Sequence, residues 1–155
     1  MKTASDQNLF DLGDQTALVC IDHPQYQKMV VAQLSDLAYK VHLGLFEEDV
    51  LLKLATYSYN VIVVYENFKG ARPDENPILL ELMNQKGALR REHFVILLCH
   101  RCATNDPLTA FAQSVDQIVN TSDLSNFKPV LRRGLAQYMD LYAPFREILQ
   151  AARAR

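Results

Sequence analysis

Short, unbroken apolar runs alternate along the chain with longer stretches in which apolar positions recur every three or four residues. Residues 17–21, Ala-Leu-Val-Cys-Ile, are continuously apolar and close on Asp22-His23-Pro24, the pattern of a strand buried on both faces. From Pro24 to about residue 39, the positions Met29, Val30, Leu34, Leu37 and Ala38 keep helical spacing, with Pro24 tolerated in the first turn. The same reading predicts a short strand over 40–43, a helix over about 47–57 and a strong strand over 61–65. Residues 73–77 carry loop chemistry between Pro73 and Pro77, and Ile78, Leu79, Leu82 and Met83 then mark a third helix. A fourth buried strand is expected over 94–98. Asp106-Pro107 opens a short helix through Phe111, a brief fifth strand covers 117–119, and one long helical pattern runs over about 124–152. Residues 1–15 have little periodicity and read as a lead-in anchored by Leu9, Phe10 and Leu12.

Strands that alternate with helices return parallel through right-handed crossovers, so the expected fold is α/β, a doubly wound five-stranded parallel sheet. A chain of 155 residues has room for one substantial core, here residues 16–155 including the long C-terminal helix. The composition, 49% hydrophobic and 22% charged, is that of a globular domain and not a disordered one. A net charge of -2 supplies no field for nucleic acid or an anionic membrane, and Arg132-Arg133 is too short a basic cluster to change that. No apolar run approaches the roughly 20 residues of a membrane span, and MKTASDQNLF lacks the apolar core of a signal peptide. A cytoplasmic location is therefore expected. Cys20, Cys99 and Cys102 are odd in number, with Cys20 inside a strand run, which is not a secreted disulfide framework.

Five β/α units with Asp22 at the end of the first strand resemble the receiver domain of bacterial response regulators, over roughly residues 16–138. The resemblance implies the flavodoxin-like strand order 2-1-3-4-5 and a site at the carboxyl ends of the strands. In receivers that site holds an acidic pair after strand one, an acceptor aspartate after strand three, a Ser or Thr after strand four and a lysine after strand five. The carboxylates hold Mg²⁺ and attack phosphorus, while the hydroxyl and the lysine meet the phosphoryl oxygens. Carried over position by position, Asp22 matches the first acid, but His23 takes the second place. The acceptor position falls on Tyr65 with Glu66 beside it, the hydroxyl position on Cys99, and the lysine position on Asn120 or Thr121. One role of five is kept, and a tyrosine cannot become an acyl phosphate. The resemblance thus implies a degenerate, phosphorylation-independent pseudo-receiver that signals or scaffolds by protein contact. An alternative remains on sequence alone: a one-residue bulge would bring Glu66 to the acceptor place, to work with Asp22 or to imitate a phosphorylated aspartate. Otherwise Glu66 is a loop residue.

Cys99-His100-Arg101-Cys102 has the Cys-x-x-Cys spacing of zinc and redox sites, and His23 and His100 could complete a metal or small-ligand sensor there. No second Cys-x-x-Cys exists, and thioredoxin-like pairs follow the first strand, so buried structural cysteines are the plainer expectation. Gly13, Gly44, Gly70, Gly87 and Gly134 are scattered and form no phosphate loop. No cofactor, no metal and no catalytic set are expected, and the chain does not read as an enzyme. In the C-terminal helix, Leu131, Leu135, Tyr138, Tyr142, Phe145 and Leu149 are spaced four and three apart in a heptad-like seam. Such a helix outruns its own sheet, so Tyr138, Tyr142, Phe145 and Leu149 are expected to serve a homodimer interface. Pro144 is expected to kink or break it.

Overall fold

The computed structural model describes residues 15–153 apart from 73, 74, 86 and 91. The lead-in over 1–14 with Leu9, Phe10 and Leu12 lies outside the described residues, as does Pro73 of the expected loop. Five strands, β1 (Thr16–Cys20), β2 (Lys40–Leu43), β3 (Val61–Tyr65), β4 (Phe94–Cys99) and β5 (Gln117–Asn120), form one sheet in the order β2-β1-β3-β4-β5. Every pairing is parallel, with Cys20 opposite Val64, Tyr65 opposite Leu98 and Cys99 opposite Asn120. This is the flavodoxin-like α/β arrangement, with helices α1 (Pro24–Asp36), α2 (Glu47–Thr56), α3 (Pro77–Met83), α4 (Gly87–Arg90), α5 (Pro107–Ala112) and α6 (Phe127–Arg153) between and after the strands.

The three central strands are covered on both faces, which is why they read as unbroken apolar runs. On one face Ala17, Val19, Ile21, Val61, Val63, Ile96 and Leu98 pack under α1 and α6, through Val30, Leu34, Phe127 and Leu131. On the other face Leu18, Cys20, Ile62, Val64, Val95 and Leu97 pack under α2, α3 and α5, through Val50, Ile78, Leu82 and Ala110. Three helices begin at an Asn, Asp or His cap followed by proline: His23-Pro24, Asn76-Pro77 and Asp106-Pro107. The cap accepts an otherwise orphaned N–H, and the proline lacks the N–H that would be orphaned anyway.

Two glycines set how closely helices approach the sheet. A Cβ on Gly44 would lie 2.4 Å from Val50 Cγ2 and 3.2 Å from Cys20 Sγ, so the turn into α2 closes only without a side chain. A Cβ on Gly134 would lie 2.6 Å from the amide nitrogen of Gln117, seating α6 against β5. That buried amide donates to Asn105 Oδ1 at 2.8 Å and to the Val130 carbonyl at 2.9 Å. At its N-terminal end α6 is tied to α1, where Gln33 accepts from the Lys128 N–H at 2.7 Å and donates to the Leu124 carbonyl.

The long C-terminal helix begins later than its pattern predicts, because 121–126 form a 3₁₀ turn. Asn120 caps that turn by accepting from Ser122 N–H at 2.9 Å and Oγ at 2.8 Å, the local competition that polar side chains offer an α-helix. Helix α6 is not broken at Pro144, which lies on its exposed side. The short helix α4 was not predicted from the pattern: four residues are too few to show periodicity.

Leu131 is fully buried while Leu135 is only half-buried, so the full cavity cost belongs to Leu131. Leu131→Ala should lose about 2–5 kcal/mol in urea denaturation, and Leu135→Ala clearly less. Equal losses would show that α6 is not seated as described.

Candidate functional site

The carboxyl ends of β1, β3, β4 and β5 bring the sequence-predicted residues together, and His100 is the point where their hydrogen bonds meet. Its Nε2 lies 2.7 Å from Tyr65 Oη and its Nδ1 lies 3.2 Å from Thr121 Oγ1. Both partners are hydroxyls, able to donate or accept, so either neutral tautomer of the ring is satisfied. The His100 backbone N–H donates to Glu66 Oε1 at 3.1 Å, and its carbonyl accepts from Asn120 Nδ2 at 3.0 Å. Asn120 also donates to the Cys102 carbonyl at 2.7 Å, clamping the 99–102 loop from the end of β5.

Tyr65 ends β3 with no bulge in the register, so it stands where the strand count places it. It belongs to the face under α1, where Tyr26 meets its ring edge-on at 5.8 Å between centroids. Burial, with the neighbouring Tyr26, Glu66 and Asp22 groups acting the same way, raises the Tyr65 phenol above its ordinary value. The side chain therefore serves as a neutral hydroxyl, not as a phenolate nucleophile. Glu66 follows on the opposite face, 7% exposed, with its backbone N–H bonded to the Leu98 carbonyl at 3.0 Å. It is not a solvated loop side chain, since its carboxylate fixes the turn that follows β4.

Asp22 is exposed and accepts from the Lys69 backbone N–H at 3.0 Å, holding a residue whose φ of 55° lies in the left-handed region. His23, at the second acid position, caps α1 by accepting from Tyr26 N–H at 3.3 Å and stacks on the Tyr26 ring at 3.7 Å. Cys99 is buried, and both burial and the adjacent Cys102 thiol raise its pKa, so the thiolate needed by a metal or a redox reaction is disfavoured. The four residues of the sensor reading do not converge as ligands, because His23 and His100 are engaged as described. Among the described residues no group of three or more His, Cys, Asp or Glu gathers closely enough to hold a metal ion.

Two residues of this site were not singled out from sequence. Tyr26 bridges His23, Tyr65 and His100, with ring centroids 6.0 Å from His100. Asn76, 1% exposed, caps α3 through Ile78 N–H and Leu79 N–H while donating to the carbonyls of Tyr65 and Glu66 at 3.1 and 3.2 Å. The Asn-Pro pair signalled the helix start. Nothing local signalled the second task, which needs the end of β3 to lie beside it.

Tyr65→Phe should keep the ring packing and lose one hydroxyl bond, lowering stability by about 0.5–1.5 kcal/mol in urea denaturation. A loss below detection would show that the Tyr65–His100 bond does not hold the strand ends together. No protein-family model matches the chain, and no curated protein matches it. The established features are accordingly the flavodoxin-like α/β fold and the geometry of its strand ends.

Proposed function

We propose that the chain is a receiver-like module in which a fixed hydrogen-bond network stands in place of phosphoryl chemistry, and that it acts by protein contact through α6. The network supports the first half of this reading. A phosphoryl acceptor needs a free carboxylate beside the carboxylates that hold Mg²⁺. Here the acceptor position carries a tyrosine bonded to His100, and Asp22 and Glu66 each accept a backbone N–H.

The contact role rests on one observation, the reach of α6. Its 27 residues span about 40 Å, against about 13 Å for the four residues of β5. Tyr138 packs on its own domain, half-buried and edge-on to Phe94 at 5.4 Å. Beyond it the side chains of Tyr142, Phe145 and Leu149 lie outside the described residues. Flanking them, Met139, Leu141 and Ile148 are 53%, 72% and 67% exposed. Apolar side chains in such number along one projecting helix are the kind of surface that association covers. A second copy of the chain is the partner proposed, because a two-fold axis lets one helix supply both halves of the interface.

Sedimentation should find the wild-type protein as a dimer at high micromolar concentration, and the Leu141→Glu, Ile148→Glu double variant as a folded monomer. A monomeric wild type, or a double variant that still dimerises, would contradict the proposed interface.

A further inference from the structure

Beside the His100 network, on the face carrying α5, a cleft of about 530 Å³ opens between the ends of β3 and β4 and the α5 helix. Glu66, Asn67, His100, Arg101, Cys102, Thr109 and Gln113 supply nearly all of its lining. We propose that this cleft binds a small zwitterion, an α-amino acid, with Glu66 receiving the ammonium group and Arg101 the carboxylate.

The argument starts from Glu66. Its side chain is almost wholly buried, at 7% exposure, and one oxygen accepts the His100 N–H at 3.1 Å. Among the described residues the ion pairs are Lys53–Asp49, Arg90–Asp116 and Lys128–Asp36, so no described cation neutralises it. A carboxylate so largely withdrawn from water is stabilised by a cation or by further hydrogen bonds to its oxygens. Among the described residues no hydrogen bond reaches its second carboxylate oxygen, which is not fully shut off from solvent, and the open space beside Glu66 is this cleft.

The lining also states which cation fits. A hard metal ion needs several oxygen ligands, and among the described residues no such group gathers. An ammonium group needs only acceptor oxygens, and Glu66, Thr109 and Gln113, which carry such oxygens, are among the residues lining the cleft. Arg101 is exposed, lines the same cleft and joins none of those ion pairs. Two opposite charges therefore face one space without pairing to each other. A ligand carrying both complementary charges completes them together, and guanidinium is the side chain best shaped to take a carboxylate in two parallel bonds. This inference is independent of the contact role of α6.

The test is calorimetric titration of the folded chain with glycine, L-alanine, L-glutamine and L-lysine, alongside methylamine and acetate as half-ligands. At least one amino acid should bind with a Kd of about 1 mM or tighter, and both half-ligands about tenfold or more weakly. Glu66→Gln, which keeps an oxygen for the His100 N–H, should weaken that amino acid about tenfold or more, and Arg101→Ala should do the same. Leu52→Glu, exposed on α2 and outside the cleft lining, should leave its affinity unchanged. The amide spectrum checks that each variant is folded, and Arg101→Ala alone carries the test if Glu66→Gln is not. Absence of binding by every amino acid at about 10 mM would overturn the proposal. So would acetate binding as tightly as the best amino acid, or a folded Glu66→Gln or Arg101→Ala variant that binds like the wild type.

Discussion

A parallel strand covered on both faces can carry polar chemistry only at its ends, and β1, β3 and β4 are covered in that way along their length. Their side chains must be apolar wherever a helix lies above or below, so the first polar residues fall where each strand leaves the sheet. Parallel order puts those exits on the same edge. Asp22, Glu66, His100 and Thr121 come from four distant parts of the chain and meet there because the core allows them nowhere else.

What the polar groups do once assembled depends on how they satisfy one another. Buried or half-buried hydrogen-bonding groups cost free energy when left without partners, and at this edge each sequence-predicted position is given a structural task. His23 caps a helix, Asp22 holds a left-handed turn, and Asn120 clamps a loop. Tyr65, Glu66 and Thr121 are all bound to His100. Groups committed to one another in this way are poor participants in phosphoryl transfer, which requires carboxylates free to bind cation and phosphorus. One oxygen of Glu66 takes no part in that arrangement, and Glu66 lines the α5 cleft where a ligand site is proposed.

Much of the fold could be read directly from the chain. The strands came from unbroken apolar runs such as 61–65, and the helix starts from the pairs His23-Pro24, Asn76-Pro77 and Asp106-Pro107, both signals being local. The strand-end positions were also located, since a register without a bulge leaves Tyr65 where counting puts it. Partnerships were harder to see. Tyr26 lies on a helix pattern that gives no sign of its contact with Tyr65, and the burial of Glu66 depends on the turn after β4, far away in sequence. Tyr138 fell within a regular seam that sequence treats as uniform, yet the sheet reaches far enough for Phe94 to claim it. The 3₁₀ turn over 121–126 was hidden for a related reason, because its spacing continues that of α6 while Asn120 redirects its backbone.

The central proposal is that the strand ends form a hydrogen-bonded network in place of a phosphoryl acceptor. Titrating the isotope-labelled chain with Mg²⁺ and beryllofluoride, a mimic of a phosphorylated carboxylate, while following its amide spectrum tests that claim most directly. The account predicts that the amides of Asp22, Tyr65, Glu66 and His100 keep their positions at millimolar ligand. Saturable, Mg²⁺-dependent shifts centred on Asp22 and Glu66 would contradict it, showing that a carboxylate at this edge still accepts a phosphoryl group.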